Sequence, residues 1–395
     1  MSEYPPDWEV ANLGTYLKET KERVSEGNTT PYSVSKVLGI VPQSEKFKKR
    51  VASNDISNYK IIRKGDFAYD PMLLWDGSIN RMLREDTGAV SPAYVTFRVL
   101  DNSLDADYLL HFLKADTAKN FYKSISKGTN VRRQKAEFRD FASGEFAFPP
   151  LPEQKKIAEI LSGIDEMINC KKRRIAKLSV FKSGLSIDLI YGKSVKKGVA
   201  SGSISDIAEI NPKTIVKLPS DSQISFIAMQ DTSETGEVNR TQVRSLNEVI
   251  IGYTRFRNND ILVAKITPCF ENGKGGFPEN LLNGVGFGST EFHVLRAIQN
   301  KAVSKFIHHI TKSERFRKAG EASMTGSAGQ KRIPADFIKH FSINIPSLSD
   351  QEEIACILTS IDMAIEKQAI EVNALANLKS SLAADLLSGR KRVSI

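Results

Sequence analysis

Two basic stretches of the chain contain the residues best suited to binding chemistry. Phe121–Arg139 has six basic residues and one acidic residue, and Lys312–Arg332 has six basic and two acidic. Their glycines permit close backbone approach, Ser, Thr and Lys suit phosphate oxygens, and Arg and Gln can pair bidentately with guanine and adenine edges. The pattern predicts a nucleic-acid contact in each stretch, with a solvated basic loop as the alternative. The candidate nucleic-acid-binding residues are Gly128, Thr129, Arg132, Arg133, Gln134 and Lys135 in the first stretch, and Gly326, Ser327, Gln330, Lys331 and Arg332 in the second.

Two further sets of residues are candidates for the same chemistry, and the second of them is the weaker. Lys265, Thr267, Asn272 and Lys274 combine cationic and hydrogen-bonding side chains within ten residues and form a second candidate loop. Tyr69, Arg81 and Arg84 are the other set, for which a purely structural role is equally plausible.

No set of residues in the sequence has the spacing of a catalytic or metal site. The chain lacks a GxxxxGK[ST] phosphate loop, and its five histidines show no H-E-x-x-H or similar ligand spacing. Glu153-Gln154-Lys155 fits the short E-x-K pattern of some nucleases, but it falls in the first turn of a predicted helix, where the helix dipole favours glutamate. The sequence therefore predicts no catalytic residue, no bound metal and no enzymatic activity of the chain itself.

Composition limits the class of protein and its compartment. The net charge of +10 with a pI of about 9.3 is compatible with a nucleic-acid partner but does not require one. Three scattered cysteines exclude a disulfide framework, and no apolar run is long enough for a membrane span. The N-terminal sequence does not resemble a secretory signal. We therefore expect a cytoplasmic protein.

The chain contains an internal duplication. Residues 149–192 align without gaps with residues 346–389, and 17 of the 44 positions are identical. Weaker similarity continues upstream, where Ser91–Arg98 resembles Ser289–Arg296. A repeat of about 197 residues is a duplicated domain, not a short solenoid unit.

The repeated segment has the pattern of a long helix. Pro152 suits the first helical position, Ser349 and Glu352 form an S-x-x-E capping box, and Gly192 and Gly389 are expected left-handed caps. Apolar residues alternate in steps of three and four, which predicts a heptad seam along which the two helices pair. The helix-pairing residues are Ile157, Leu161, Ile164, Ile168, Leu178 and Leu185 in the first copy, and Ile354, Leu358, Ile361, Ile365, Leu375 and Leu382 in the second.

Polar residues interrupt this seam at the same two places in each copy. They are Lys171 and Lys182 in the first helix and Gln368 and Lys379 in the second, and we expect them to set the register of pairing. The alternative is that each helix lies along its own globular part. Heptads alone do not fix the relative direction of the helices.

The remaining segments are predicted to form two similar mixed α/β domains, giving an α+β protein. The strand candidates are Tyr59–Arg63, Phe67–Tyr69, Tyr94–Leu100, Ile224–Met229, Asp260–Ile266 and Glu291–Leu295, and the helical candidates are Asp107–Lys114 and Ala302–Thr311. The predicted boundaries are 1–148 for the first domain, 149–192 for the first long helix, 193–203 for a linker, 204–345 for the second domain and 346–395 for the second long helix.

Phe148–Glu166, with its Pro-Leu-Pro-Glu-Gln-Lys-Lys-Ile-Ala run, closely resembles the repeated region of specificity subunits of type I restriction–modification systems. Ile345–Ala355 is a weaker copy, and the segments Asp260–Lys274 and Gly286–Arg296 look like a target-recognition domain of that family. Ser347 and Ser349 stand where the first copy has Pro150 and Pro152, a change that should preserve the helix start.

The resemblance implies two target-recognition domains separated by two long helices that form an antiparallel coiled coil. It also implies a non-catalytic subunit that reads a bipartite sequence in double-stranded DNA and recruits two methyltransferase subunits and restriction/translocase subunits. S-adenosylmethionine, and ATP with Mg in the full complex, would be bound by those partners, and this chain would hold no cofactor. Two alternatives stay open: the recognition portion of a related fused restriction–methylation enzyme, and a coiled-coil adaptor that does not bind DNA.

Overall fold

A computed structural model describes residues 4–24, 29–47, 51–52, 55–84, 86–100, 102–126, 135–192, 200–327 and 329–395. The chain divides into two compact units. The first unit contains Met1–Lys171 together with Glu371–Ile395, and the second contains Lys172–Ile370. Each unit thus combines one globular domain with parts of both long helices.

The first unit is a mixed α/β domain. Its strands are β1 (Glu9–Asn12), β2 (Leu17–Thr20), β3 (Thr30–Ser35), β4 (Gly39–Pro42), β5 (Lys60–Ile62), β6 (Phe67–Tyr69), β7 (Ile79–Arg81), β8 (Gly88–Val90), β9 (Val95–Val99) and β10 (Glu145–Phe148). Its helices are α1 (Leu13–Tyr16), α2 (Gln43–Lys46), α3 (Ala106–Lys114), α4 (Asp116–Ile125) and α5 (Phe138–Ala142), followed by the start of α6 (Leu151–Tyr191). The sheets have strand orders β2-β9-β6-β7, β4-β3-β8-β5 and β1-β10, and β3 runs parallel to β8.

The second unit repeats this plan. Its strands are β11 (Ala200–Ser203), β12 (Ala208–Ile210), β13 (Gln223–Ile227), β14 (Gln242–Ser245), β15 (Thr254–Arg257), β16 (Ile261–Ala264), β17 (Gly275–Gly276), β18 (Val285–Gly288), β19 (Phe292–Ala297) and β20 (Ser342–Ile345). Its helices are α7 (Ile204–Ile207), α8 (Leu246–Val249), α9 (Ser304–Lys312), α10 (Glu314–Ser323), α11 (Ala335–His340) and α12 (Leu348–Leu386). The sheets are β12-β19-β16-β17, β14-β13-β18-β15 and β11-β20, with β13 parallel to β18, so the two domains share one topology.

The strand and helix predictions are confirmed at the level of elements. All six predicted strands overlap an observed strand, and both helical candidates overlap helices, α3 and α9. Aromatic side chains fill the core of the first domain, where Phe67, Phe97 and Phe141 are fully buried and in ring contact. Such rings bury large apolar areas and favour tilted or offset contacts. Within the described ranges, no helix is both long and apolar enough to cross a membrane.

The two long helices pair antiparallel within each unit. In the first unit, Lys171 Nζ lies 2.5 Å from Glu371 Oε2, and Asp165 Oδ2 lies 2.5 Å from Lys379 Nζ. In the second unit, Lys182 Nζ lies 2.5 Å from Asp362 Oδ1. As the residue number increases along α6, the number of its partner on α12 decreases, which is the pattern of antiparallel helices. These three lysines are three of the four residues that interrupt the predicted seam, and each pairs with a carboxylate on the opposite helix.

The predicted helix-pairing residues are all buried or half-buried. Ile157 and Leu161 are fully buried in one core with Leu386, while Leu358 is buried in another core with Ile190. Those cores also contain side chains of the globular domains, such as Phe146 and Phe306. The burial of these positions fits the predicted seam. Each helix packs against its own domain only at its N-terminal end, and its C-terminal end lies in the core of the other domain.

The helix ends differ in detail from the prediction. The capping residue of α12 is Ser347, not Ser349: Ser347 Oγ accepts a hydrogen bond from Asp350 N at 3.2 Å and donates one to Asp350 Oδ2 at 2.7 Å. The same S-x-x-acid pattern begins two residues earlier than expected. Gly389 has the predicted left-handed conformation, with φ of 74°. Gly192 does not, because its N–H continues the helical pattern and donates to Asp188 O at 3.0 Å.

The predicted linker is too long at its C-terminal end. Ala200–Ser203, assigned to the linker by the sequence, forms strand β11, which pairs antiparallel with β20. Ser203 then begins α7, where Asp206 accepts from the Ser203 N–H at 2.7 Å. The glycine- and serine-rich composition that indicates a linker is equally compatible with a short edge strand. Residues 193–199 lie outside the described residues.

Candidate nucleic-acid interface

The predicted basic loop of the second domain is a short hairpin. Thr325 and Arg332 exchange backbone hydrogen bonds at 3.0 and 2.9 Å, and Gln330 N donates to Ser327 O at 3.0 Å. Gly326 and Gly329 have φ values of 122° and 82°, a region that glycine enters without the penalty of a Cβ. The candidates Gly326, Ser327, Gln330, Lys331 and Arg332 are all exposed. We call residues 325–327 and 329–332 the recognition hairpin.

The fold brings this hairpin beside the second predicted loop. Thr267 N donates to Lys331 O at 2.9 Å, and Ile333 N donates to Lys265 O at 2.9 Å. These bonds anchor the recognition hairpin to the end of β16, about 60 residues away in sequence. The recognition hairpin and the loop that contains Lys265 and Thr267, which are far apart in sequence, therefore lie on one surface.

Within the second loop the candidates differ in environment. The Thr267 hydroxyl donates to Glu271 Oε1, and Asn272 Nδ2 donates to Glu234 Oε1 at 3.2 Å. Lys265 is half-buried, and burial lowers the pKa of its ammonium group. Lys274 is also half-buried. Nothing in the described residues tests whether these side chains contact DNA, so their role stays a prediction.

Glu291 is the functional candidate that the sequence reasoning missed. Its carboxylate contacts the Arg332 guanidinium, with Arg332 Nη2 2.8 Å from Oε1 and Arg332 Nε 3.1 Å from Oε2. This arginine holds the pKa of Glu291 below its usual range. Glu291 O also accepts from Lys265 N at 2.9 Å, so the residue lies between the two candidate loops. No sequence motif marks it, because its neighbours become adjacent only in the folded sheet.

A groove continues the basic surface beyond the recognition hairpin. It has a volume of about 600 Å³ and is lined by Asn211, Lys213, Thr214, Tyr253, Arg255 and Lys265, among others. Three cations with hydroxyl and amide groups form a lining suited to phosphate oxygens. Lys265 belongs to both the groove and the second loop. Lys213 and Arg255 were not predicted, since neither lies in one of the two basic stretches.

Much of the basic stretch before the hairpin is structural. Arg317 is half-buried and donates through Nη1 to Phe270 O at 3.1 Å, which holds the second loop from beneath. Lys312 Nζ contacts Glu237 at 2.8 Å and Asp362 at 3.2 Å, and Lys318 pairs with Glu314 on the same helix. Within this stretch, the residues that remain candidates for nucleic-acid binding are those of the recognition hairpin.

The corresponding stretch of the first domain is described only in part. Gly128, Thr129, Arg132, Arg133 and Gln134 lie outside the described residues, whereas Lys135 is described and exposed. The weakest predicted set is wrong for Tyr69, which is fully buried and donates from its hydroxyl to Ala136 O at 3.1 Å. Arg81 and Arg84 form ion pairs with Asp107 and Glu45.

A polar cluster that we call the first polar junction joins the first domain to the long helices. It consists of His111, Ser162, Asp165 and Lys379: His111 Nε2 lies 2.9 Å from Ser162 Oγ, and His111 Nδ1 lies 4.0 Å from Asp165. Burial lowers the pKa of His111 to about 4, so its imidazole is neutral at pH 7.

The second unit contains the equivalent second polar junction, formed by His309, Thr359, Asp362 and Lys182. His309 Nε2 lies 3.0 Å from Thr359 Oγ1, and His309 Nδ1 lies 3.9 Å from Asp362. Burial lowers the pKa of His309 to about 3. In the sequence these two histidines are isolated, because their partners lie about 50 residues away or on the other helix.

Neither the E-x-K segment nor the acidic residues form a catalytic arrangement. Glu153 is fully buried and accepts hydrogen bonds from Arg392 at 2.6 and 2.7 Å, an ion pair that Asp7 extends. Among the residues that the structure describes, no group of three His, Cys, Asp or Glu side chains comes together as a metal site.

The comparisons with known families and curated proteins agree on one class. A family model described as the type I restriction modification DNA specificity domain matches residues 9–180 and again 196–373. A curated relative, the type I restriction enzyme EcoAI specificity subunit of Escherichia coli, is 42% identical over 159 residues, which is 40% of this chain and 27% of that subunit. The EcoEI specificity subunit is similar to the same extent, at 41% identity over 38% of this chain and 25% of its own length. The chain thus aligns with about a quarter of these two relatives.

Similarity over the whole chain is lower but continuous. The type I restriction enzyme MjaVIII specificity subunit of Methanocaldococcus jannaschii is 26% identical, with 98% of this chain and 94% of that subunit aligned. The crystal structure of a type I restriction–modification S subunit from M. genitalium matches with a TM-score of 0.60 at 12% identity, covering 98% of this chain and 96% of the other. A chain solved in work on complex assembly and conformational transition of a type I system matches with a TM-score of 0.55 at 14% identity, over 99% and 100% of the two chains. These structures support the fold.

Proposed function

Because the chain belongs to the family of type I restriction modification DNA specificity domains, we propose that it is the sequence-specific DNA-binding subunit of a type I restriction–modification system. Each of its two globular domains reads one half of a bipartite target in double-stranded DNA. The duplicated topology supports this proposal, since two copies of one recognition fold with different loop residues suit two different half-sites.

The observation that carries the proposal is the surface built by the recognition hairpin and the second loop. Exposed Gln330, Lys331 and Arg332 project from a backbone that five hydrogen bonds fix in place. Glutamine and arginine can read adenine and guanine edges, while lysine and the groove cations neutralise phosphates. Such a surface combines positioning with base readout, which a coiled-coil adaptor has no need of.

The chain acts through partners. Two methyltransferase subunits, and restriction/translocase subunits in the full complex, supply the chemistry and bind S-adenosylmethionine and ATP with Mg. The present chain contributes target recognition and holds no cofactor of its own. Its three free cysteines and its DNA target fit the cytoplasm as the compartment of action.

Purified chain tests this function directly. It should show no methylation or cleavage with S-adenosylmethionine, ATP and Mg alone, and should direct methylation when its cognate methyltransferase is added. It should also bind DNA with an affinity that falls steeply as salt rises, because phosphate contacts release counterions. Methyl transfer by the isolated chain would contradict the non-catalytic assignment, and the absence of any DNA binding by the complex would contradict the whole proposal.

A further inference from the structure

We infer that Glu291 is a positioning residue for base recognition, which holds Arg332 in the orientation that reads a guanine in the half-site of the second domain. The inference rests on the proposed DNA-binding function and assigns one residue pair within it.

The pairing geometry leaves the reading edge of Arg332 accessible. A guanidinium group has five N–H donors in one plane. Glu291 engages the side edge, formed by Nε and Nη2, at 3.1 and 2.8 Å. The end edge, formed by Nη1 and the second N–H of Nη2, makes one long contact with the described residues, from Nη1 to Gln330 O at 3.4 Å. That end edge is the one that donates in parallel to O6 and N7 of guanine.

The surroundings restrict the remaining freedom of the arginine. Its backbone is bonded to Thr325 on one side, and it bridges Ile266 on the other. The Arg332 side chain is 47% exposed and that of Glu291 only 25%, so the carboxylate is the more firmly held partner. A guanidinium held in a fixed plane loses less conformational freedom on binding than a free one.

The first domain provides an internal comparison. Ala136 N donates to Pro71 O as Ile333 N donates to Lys265 O, so Lys135 occupies the position of Arg332. By the strand registers, Phe97 of β9 corresponds to Leu295 of β19, which places Ala93 where the second domain has Glu291. The carboxylate thus occurs in the domain that carries arginine. Lysine is a point charge without a planar fork and gains no orientation from such a partner.

The experiment measures base preference with a library of DNA duplexes that contains a randomised segment. Full-length chain is mixed with the library, and bound sequences are counted against the input. The variants are Arg332→Ala, Arg332→Lys and Glu291→Gln, with Asp336→Asn as the matched control, because Asp336 forms an exposed ion pair with Lys339 on α11 of the same domain. Thermal melting of each variant checks that it is folded.

We expect Arg332→Ala to reduce the preference for guanine at one position by about 5- to 150-fold, the range of a bidentate base contact. Arg332→Lys should lose the same preference although it keeps the charge. Glu291→Gln should weaken that preference at least about threefold at the same position, while binding to unselected duplex stays equal or rises because a negative charge is removed. Asp336→Asn should change neither quantity. If Glu291→Gln fails to fold, Arg332→Lys carries the test, since a phosphate contact would survive that change and a forked base contact would not.

Three results would overturn the inference. One is an unchanged guanine preference in Glu291→Gln. Another is the loss of a cytosine preference in that variant, which would make Glu291 itself the reader through cytosine N4. The third is uniform weakening across all sequences in Arg332→Ala, which would identify a phosphate contact. Failure of the wild-type chain to enrich any sequence would instead refute the proposed function, so the two failures are distinguishable.

Discussion

Replacing Asp362 by Asn should destabilise the second unit selectively. Asp362 forms two ion pairs, with Oδ1 2.5 Å from Lys182 Nζ and Oδ2 3.2 Å from Lys312 Nζ. Both positive charges hold the pKa of Asp362 below its usual value, although burial acts in the opposite direction. The neutral amide keeps the size of the side chain but removes the only negative charge of the second polar junction.

The magnitude follows from burial. The side chains of Lys182 and Asp362 are 19% and 25% exposed, so this ion pair is intermediate between a surface pair and a fully buried one. A surface pair contributes up to about 1 kcal/mol, and disrupting a fully buried pair costs about 3–5 kcal/mol. Lys312 retains Glu237 at 2.8 Å, so the main loss is the partner of Lys182. We expect a loss of about 2 kcal/mol. The equivalent Asp165→Asn in the first polar junction should cost about 1 kcal/mol, because Asp165 is 40% exposed.

Peptide-resolved hydrogen exchange is the suitable assay, since two units need not unfold in a single transition. Amides of α9 and of the N-terminal part of α12 should exchange faster in Asp362→Asn, whereas those of α3 should not change. Adding Lys182→Met should recover part of the stability, because it removes the unpaired ammonium. The reasoning is refuted if Asp362→Asn changes exchange no more than Asp336→Asn does, or if Lys182→Met adds to the loss.

Three other predictions concern pH, an anchor and a phosphate contact. Burial lowers the pKa of His111 to about 4 and that of His309 to about 3, so both imidazoles are neutral in the folded chain. Below about pH 6.5 the two histidines bind protons more readily in the unfolded chain, so the melting temperature should fall from pH 6.5 towards pH 4. Replacing each histidine by glutamine should flatten that curve. Gln351→Ala should lower the free energy of unfolding, measured with urea, by about 3 kcal/mol. The reason is that the buried amide donates to Lys301 O and Pro346 O and accepts from Val303 N. A loss below about 1 kcal/mol would contradict this. Lys331→Ala should lower the slope of log affinity against log salt by about 0.9 and leave sequence preference intact, whereas a changed preference would mean base contact.

The long-range periodic features of this chain could be predicted from the sequence. Three- and four-residue spacing identified α6 and α12, and the internal duplication identified two similar domains. The repeated identity of Gln154 and Gln351 has a structural cause, since each buried amide makes three hydrogen bonds that tie a helix start to the loop before α3 or α9. The spacing of apolar residues and the identical residues of the two copies are visible in the sequence itself, so both could be detected without a structure.

The features that depend on tertiary pairing could not be predicted. Glu291 belongs to the interface only because β19 begins beside the end of β16. Arg317 does not, because its half-buried side chain lies over the Phe270 ring and donates to Phe270 O. The polar junctions combine residues of a domain with both helices, and isolated histidines give no signal of this. The starts of the long helices were predicted to within two residues, since Ser347 and Ser349 both satisfy the local capping pattern. The end of the second was not, because the prediction extends it to residue 395 and α12 ends at Leu386.

Methylome sequencing of a host carrying this chain with its methyltransferase tests the central claim most directly. The account predicts methylation within one bipartite motif, made of two different short half-sites separated by an unspecified spacer, and its disappearance when the chain is deleted. Arg332→Ala should alter the half-site read by the second domain and leave the other unchanged. Methylation that persists without the chain, or a motif that is continuous and unaffected by Arg332→Ala, would contradict the account.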